Sequence, residues 1–328
     1  MKRYRLGLIH KFAKSNSEKI DGLRSALGGL GVGRVPPHIT LVPPTNLHPR
    51  DAGAEIYRLR KVASETSPYS LAVGSAGTFH PVSPVLYLSV SGDGTVPMSA
   101  LQQRLVSSDL YKPNTRPFIP HVTLLEPVGE MEVESGLRLF RSPLFDQQVS
   151  SFEMMLSPAQ GYWEVSSDFR FTPLRRVHRG GMSIEVFSHF SGDLAVYELA
   201  EGEGVPSTLF WPQHDRRLRT GGQRHLVVSL YSEGRLIACA GATYHSTVAL
   251  VRAVVVKHRV QRLGVGSLAV TELLYQLELA DVENVFVVSP DTISPFFVAC
   301  GAGPASVQSR LIGYESGTTL NSWSFSRR

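Results

Sequence analysis

Two short stretches hold the residue types that could do chemistry: Pro36-Pro37-His38-Ile39-Thr40-Leu41 and Pro120-His121-Val122-Thr123-Leu124. Each is a proline followed by His-x-Thr inside an aliphatic, β-branched run. Side chains alternate faces along a strand, so His38 and Thr40 share one face while Ile39 and Leu41 share the other. The same alternation sets His121 and Thr123 against Val122 and Leu124. One such pair is what an ordinary half-exposed strand shows. Two copies with matching flanks point to two walls of one site. An imidazole titrates near neutrality, so one of two facing histidines can accept a proton while the other donates one. The two threonine hydroxyls can hydrogen-bond the non-bridging oxygens of a phosphate held between them. Such a set opens or closes a phosphodiester by in-line displacement without a metal. Either histidine fits either role on this evidence.

Residues 1–173, with both His-x-Thr motifs intact, resemble the 2H phosphoesterase superfamily, which includes 2'-5' RNA ligase-like proteins and RNA 2',3'-cyclic phosphodiesterases. The resemblance implies a bilobal, duplicated α+β domain. It implies catalysis by His38, Thr40, His121 and Thr123 on a phosphodiester of RNA or a nucleotide, with no metal cofactor.

The elements that must position these residues are legible in outline. Arg3–His10 reads as a first strand and Ser17–Leu27 as a helix ended by Gly28-Gly29, with the first motif strand at His38–Val42. Asp51–Glu65 has helical spacing with Asp51 as its cap. Tyr69–Phe79 and Pro84–Val90 read as paired strands, Val96–Ser107 as a helix and His121–Leu125 as the second motif strand. A short helix at Val133–Phe140 and a hairpin of Phe152–Leu156 with Trp163–Phe171 complete the half. Lys112, Arg116, His10, His48 and His80 read as loop or strand-end residues, and Tyr162 and Trp163 as packing residues.

Thr172–Gly181 is polar, basic and punctuated by glycine, which reads as a linker over 174–181 between a domain at 1–173 and another at 182–328. In the second half, Ser183–Phe190 reads as a strand and Asp193–Ala200 as a helix. The basic cluster Arg216, Arg217 and Arg219 reads as a solvated loop. Leu226–Tyr231, Arg235–Tyr244 and Val248–Val256 read as three antiparallel strands. After Val256 comes Gln261-Arg262-Leu263-Gly264-Val265-Gly266-Ser267, then an amphipathic helix from Leu268 to about Ala280 and a strand at Glu283–Val288. A glycine-rich turn between strand and helix lets backbone N–H groups cradle a pyrophosphate.

Residues 182–328 resemble the GNAT family of N-acetyltransferases, whose Gln/Arg-x-x-Gly-x-Gly/Ala pattern binds the pyrophosphate of acetyl-CoA; Ser294–Ala302 resembles a later helix and turn of that fold. The resemblance implies a mixed-sheet α/β domain that takes acetyl-CoA through Val256 and Gln261 to Ser267. Phe297 stands where the family has its acid tyrosine, and the strands lack the family's carboxylate. This favours acyl-CoA binding over acetyl transfer, with Tyr244 or His245 as substitute bases. Two alternatives follow: an N-acyltransferase whose first domain recognises a nucleotide or RNA, or an acyl-CoA sensor that gates the phosphoesterase.

Composition sets the outer bounds. The chain has 328 residues, 42% of them hydrophobic and 19% charged, which is globular and long enough for two cores. A net charge of +5 suits one phosphorylated ligand better than a long nucleic-acid backbone. Cys239 and Cys300 read as buried free thiols. Leu6–Ile9 is too short for a signal segment and no apolar run could span a membrane, so a cytoplasmic protein without a membrane partner is expected.

Overall fold

The structure is a computed structural model that describes residues 4–28, 35–108, 110–111, 117–140, 142–157, 163–190, 192–206, 209, 223–305 and 318–325. Its contacts divide it into two compact units, Met1–Pro173 and Leu174–Arg328.

The first unit opens with β1 (Tyr4–Lys11), α1 (Lys14–Ala26), β2 (His38–Leu47) and α2 (Pro49–Ser64). It continues with β3 (Tyr69–Thr78), β4 (Leu86–Ser91), α3 (Thr95–Leu105), β5 (His121–Leu125) and α4 (Glu130–Leu139). It closes with β6 (Pro143–Val149), β7 (Ser151–Ser157) and β8 (Glu164–Arg170). Two four-stranded sheets result, ordered β2-β1-β7-β8 and β5-β4-β3-β6. The duplication is visible in the order: β1-α1-β2-α2 and β4-α3-β5-α4 each run strand, helix, motif strand, helix, and in both sheets the motif strand is at an edge. The helices cross over, with α1 against β5 and α3 against β2.

Local chemistry explains these elements. Ala52, Ile56, Leu59 and Val62 recur at helical spacing and all are buried, which fixes the inner stripe of α2. The helix is capped by His48, whose Nδ1 accepts from Arg50 N at 3.2 Å, with Pro49 at its first position. Asp51 therefore lies in the first turn and is not the cap. Between the β strands, Phe152 and Phe169 stack at 4.8 Å and are wholly buried. Pro143–Val149 lacks the clean alternation that would mark a strand and becomes β6 only through its pairing with β3.

The second unit runs β9 (Arg175–Arg179), β10 (Met182–His189), α5 (Leu194–Gly202), β11 (Arg224–Ser232), β12 (Arg235–His245) and β13 (Val248–Val256). After a single 3-10 turn come α6 (Val265–Glu278), β14 (Asn284–Pro290), α7 (Ser294–Ala299), β15 (Gly303–Pro304) and β16 (Thr318–Ser324). They form one mixed sheet, β15-β16-β14-β13-β12-β11-β10-β9, in which only β13 and β14 pair in parallel. Both units thus have the mixed α and β architecture expected of them.

One segment differs from expectation. The stretch read as a linker, 174–181, contains β9, which pairs antiparallel with β10 through the Gly180-Gly181 turn. Its basic residues, which suggested solvation, are tethered: Arg175 Nη1 meets Glu272 Oε2 at 2.5 Å and its guanidinium lies 5.8 Å from the Tyr275 ring. Glu272 is buried on α6. Burial raises its titration above the ordinary carboxylate value and Arg175 opposes that rise. A raised carboxylate favours folding at low pH and loses that contribution as pH climbs through the folded-state value. Arg175→Ala is expected to cost about 1–2 kcal/mol at neutral pH, allowing for the exposed arginine. The loss should shrink as the pH is lowered and Glu272 becomes protonated, as urea titrations at neutral and acidic pH would measure.

Candidate functional site

β2 and β5 adjoin as the edge strands of the two sheets. Alternation works as the sequence requires: Ile39, Leu41, Val122 and Leu124 are buried, while His38, Thr40, His121 and Thr123 are half-buried. The two histidines are held alike. His38 Nδ1 lies 2.8 Å from the Pro36 carbonyl oxygen and His121 Nδ1 lies 2.8 Å from the Ile119 carbonyl oxygen. A carbonyl only accepts, so each Nδ1 donates and Nε2 is left to act as acid or base. Local sequence supplies this geometry. A proline stands between each histidine and its carbonyl partner, and its fixed φ sets that carbonyl beneath the ring.

Sequence reasoning missed Arg24, on α1. Its Nε and Nη2 donate to the Thr123 carbonyl at 3.1 and 2.8 Å, and Nη1 donates to the Val35 carbonyl at 3.4 Å and to Asp21 at 3.2 Å. It therefore ties the second motif strand to the chain just before the first. No periodicity marks it, since the bond spans 99 positions. Burial lowers the titration of His38 from its ordinary value, and the charges of Arg24 and His121 lower it further against the bond to Pro36.

His121 packs against an aromatic pair, with the Phe79 ring at 5.0 Å and the Tyr87 ring at 5.3 Å. Tyr87 lies over Gly77, where a Cβ would meet the ring at 2.6 Å. Of the other histidines, His10 is buried on β1, its Nδ1 donating to the Ser151 carbonyl at 2.9 Å and its Nε2 bonded to the Tyr69 hydroxyl. Burial lowers it to about 4, so His10, next to the end of β1 as expected, is a neutral core group and not a surface residue. Trp163 carries Arg5 at 5.9 Å over its ring, as a packing residue would. Lys112, Arg116, Tyr162, Arg216, Arg217 and Arg219 lie outside the described residues.

In the second unit, β13 and β14 pair only from Val248↔Asn284 to Val251↔Val287 and then separate. A cavity of about 870 Å³ opens beyond that point. Val256, Gln261, Arg262, Gly264, Gly266 and Ser267 line it. Leu263 and Val265 do not: Leu263 lies against Gly180, and Val265 is buried in the core. Gln261 Nε2 donates to the Val256 carbonyl at 3.2 Å, which folds the loop back on its strand. Gly264 adopts φ +78°, a left-handed conformation, and a Cβ there would meet Arg179 at 2.7 Å. A Cβ at Gly266 would press on Val256 and Phe296 at 3.3–3.4 Å, so the open cradle depends on glycine. The residues present therefore fit an acyl-CoA: amides of the first turn of α6 and Arg262 for the pyrophosphate, and an apolar channel for its arm.

The expected substitute bases are elsewhere. Tyr244 is buried in the core cluster and His245 is at the exposed end of β12; neither is among the lining residues. Phe297 is buried against Trp323 at 6.2 Å and packs where an acid was sought. Cys239 is buried, whereas Cys300 is half-exposed, contrary to expectation.

Two adjoining edge strands thus present the two His-x-Thr pairs of an α+β unit on faces that their apolar neighbours leave open. Residues 12–153 match the family model of the 2'-5' RNA ligase superfamily. A curated relative from Bacillus anthracis whose name carries the word phosphoesterase is 29% identical over 168 residues, covering 51% of this chain and 96% of the relative. Solved structures similar to parts of the chain include LigT of E. coli complexed with 3'-AMP (17% identity, TM-score 0.37, 52% of this chain and 99% of that one). The ribosomal-protein-S18-alanine N-acetyltransferase of Escherichia coli is also similar (16% identity, TM-score 0.34, 44% of this chain and 96% of that one). No described helix is long and apolar enough to cross a membrane.

The electrostatics yield a direct expectation. Arg24→Met and His121→Gln each remove a positive charge that depresses His38, so each should raise the His38 titration toward the ordinary histidine value. NMR titration of its ring proton, assigned with His38→Gln, measures this; an unmoved curve would place both charges too far from His38 to matter.

Proposed function

We propose that the first unit is a metal-independent phosphodiesterase or ligase acting on a 2',3'-cyclic phosphate or a 2'-5' phosphodiester of RNA or a nucleotide. The observation that carries the reading is the matched pair of histidines, each with Nδ1 committed to a backbone carbonyl, on two adjoining edge strands. In hydrolysis of a cyclic phosphate, Nε2 of one histidine takes the proton of the attacking water and the other protonates the leaving ribose oxygen. Thr40 and Thr123 hold the non-bridging oxygens. His38 is the better base, because burial and the charge of Arg24 keep it neutral and able to accept a proton near pH 7. His121 then serves as the acid, and the roles exchange in the reverse reaction. The Phe79–Tyr87 pair beside His121 offers an apolar wall for the ribose or base.

The test is turnover of nucleoside 2',3'-cyclic monophosphates in EDTA, which removes any metal route. His38→Ala and His121→Ala should each abolish turnover with an unchanged circular dichroism spectrum. Thr40→Val and Thr123→Val should each lower kcat/KM by roughly 10- to 100-fold. A folded His38→Ala enzyme with full activity would sink the reading. In the wild type, kcat/KM should rise with pH through a value below the ordinary histidine 6.5, because the acid limb reports deprotonation of His38.

The cavity of the second unit favours a second activity: binding of an acyl-CoA, with transfer of the acyl group to an amine or sensing of the thioester as its two outcomes. Its support is the coincidence of a channel between separating strands with a glycine cradle at the start of α6. Calorimetric titration with acetyl-CoA should show one site per chain, lost in Gly266→Val, whose branched side chain fills the cradle.

A further inference from the structure

The cavity of the second unit has an inner end that the pyrophosphate cradle does not explain. Where the register of β13 on β12 shifts, Val251 opposes Ala242 and Ala253 opposes Gly241, so Arg252 is the extra residue of a β-bulge. A bulge re-aims its side chain, and Arg252 is among the residues that line the cavity. Its Nε is shielded from solvent and has no hydrogen-bond partner in the protein. A shielded N–H without an acceptor is costly, and more so on a charged group.

Two further observations point the same way. Ser289 on β14 is 3% exposed, lines the cavity and has an unpartnered Oγ. The described lining residues include two cations, Arg252 and Arg262, and no carboxylate. The nearby His225, bonded through Nδ1 to Thr243 Oγ1 at 3.1 Å, does not neutralise the charge. Burial and then Arg252 hold His225 below its ordinary titration, so near neutral pH it is an uncharged imidazole.

The spacing sets the shape of the ligand. From Arg252 to the end of β13 at Val256 the strand rises about 13 Å, and the glycine cradle with Arg262 follows. A ligand satisfying both ends is extended, with a polyanion at the cradle, an apolar middle along Val254 and Val256, and a second anion at Arg252. Acetyl-CoA lacks that second anion.

We propose that Arg252, assisted by the Ser289 hydroxyl, binds a carboxylate at the inner end of this cavity. The proposal rests on the acyl-CoA reading of the second unit and deepens it. The carboxylate has two possible sources: the free end of a dicarboxylic acyl group, as in malonyl- or succinyl-CoA, or a separate carboxylated acceptor such as an amino acid, whose amine is then brought toward the thioester. Arginine suits either source, since its planar fork matches a carboxylate in two parallel hydrogen bonds.

Calorimetry on the full chain separates the outcomes. In one arm the protein is titrated with acetyl-CoA, malonyl-CoA and succinyl-CoA. In the other it is saturated with free coenzyme A and titrated with single amino acids, the absence of a thioester preventing turnover. A dicarboxylic acyl source predicts malonyl- or succinyl-CoA binding on the order of 10- to 100-fold tighter than acetyl-CoA, the worth of a charge-assisted pair. An acceptor source predicts equal thioester affinities and saturable amino-acid binding to the coenzyme-loaded protein. In either case Arg252→Met should erase the carboxylate preference while acetyl-CoA affinity stays within about 2-fold, and Ser289→Ala should weaken it by a smaller factor. Acetyl-CoA binding with no carboxylate preference in either arm, or a preference that survives Arg252→Met, overturns the proposal. Absence of binding by every CoA compound overturns the acyl-CoA reading itself, and the proposal with it. Thermal unfolding of Arg252→Met alongside the wild type shows whether the variant folds. Should it fail to, Arg252→Lys keeps the charge but loses the two-pronged contact and should reduce the preference without abolishing acetyl-CoA binding.

Discussion

The first unit depends on the two-residue alternation of its motif strands. Because Ile39 and Leu41, and likewise Val122 and Leu124, must be buried, His38, Thr40, His121 and Thr123 have no freedom over which face they occupy. A slip of one residue in either strand would bury an imidazole and expose two aliphatic side chains. The hydrophobic core thereby acts as the register pin for the polar site, and the tight seating of those four aliphatics carries over into the position of each Nε2. The proline before each histidine refines that placement by setting the carbonyl that receives Nδ1–H.

Charge is the second organising constraint. Arg24 joins α1 to both motif arms through backbone carbonyls, so its donors are spent on structure while its charge still reaches His38. A cation so held lowers the basicity of a neighbouring imidazole while its own hydrogen bonds stay with the backbone. The duplicated layout, with helices crossing to the opposite motif strand, makes this possible, since α1 lies against β5 and not over its own sheet.

In the second unit the controlling event is the separation of two parallel strands. While β13 and β14 stay paired their backbones satisfy each other; once they part, the open edges become the walls of a cavity. The bulge at Arg252 and the glycine-dependent turn at Gly264–Gly266 lie at opposite ends of that opening. An opening of this form has a cation near each end and an apolar middle. The β9 hairpin supports the glycine loop from below, with Gly180 against Leu263 and Arg179 beside Gly264.

The sequence by itself determined whatever depends on neighbours a few positions away. Strand alternation placed His38, Thr40, His121 and Thr123 on shared faces, and a glycine turn between an apolar strand and an amphipathic run placed the cradle of α6. Both follow from local periodicity and backbone freedom, which need no tertiary partner. Only the tertiary structure decided the rest. Basic composition made 174–181 read as a linker, yet β9 is a strand because Met182–Val186 supplies its hydrogen bonds. His10 became a core residue because Tyr69 and the Ser151 carbonyl meet its two nitrogens. Arg24 and Arg252 owe their positions to a bond across 99 residues and to a bulge against β12. Such features arise from pairing between distant segments, and no local pattern of residue types encodes where a distant carbonyl will stand.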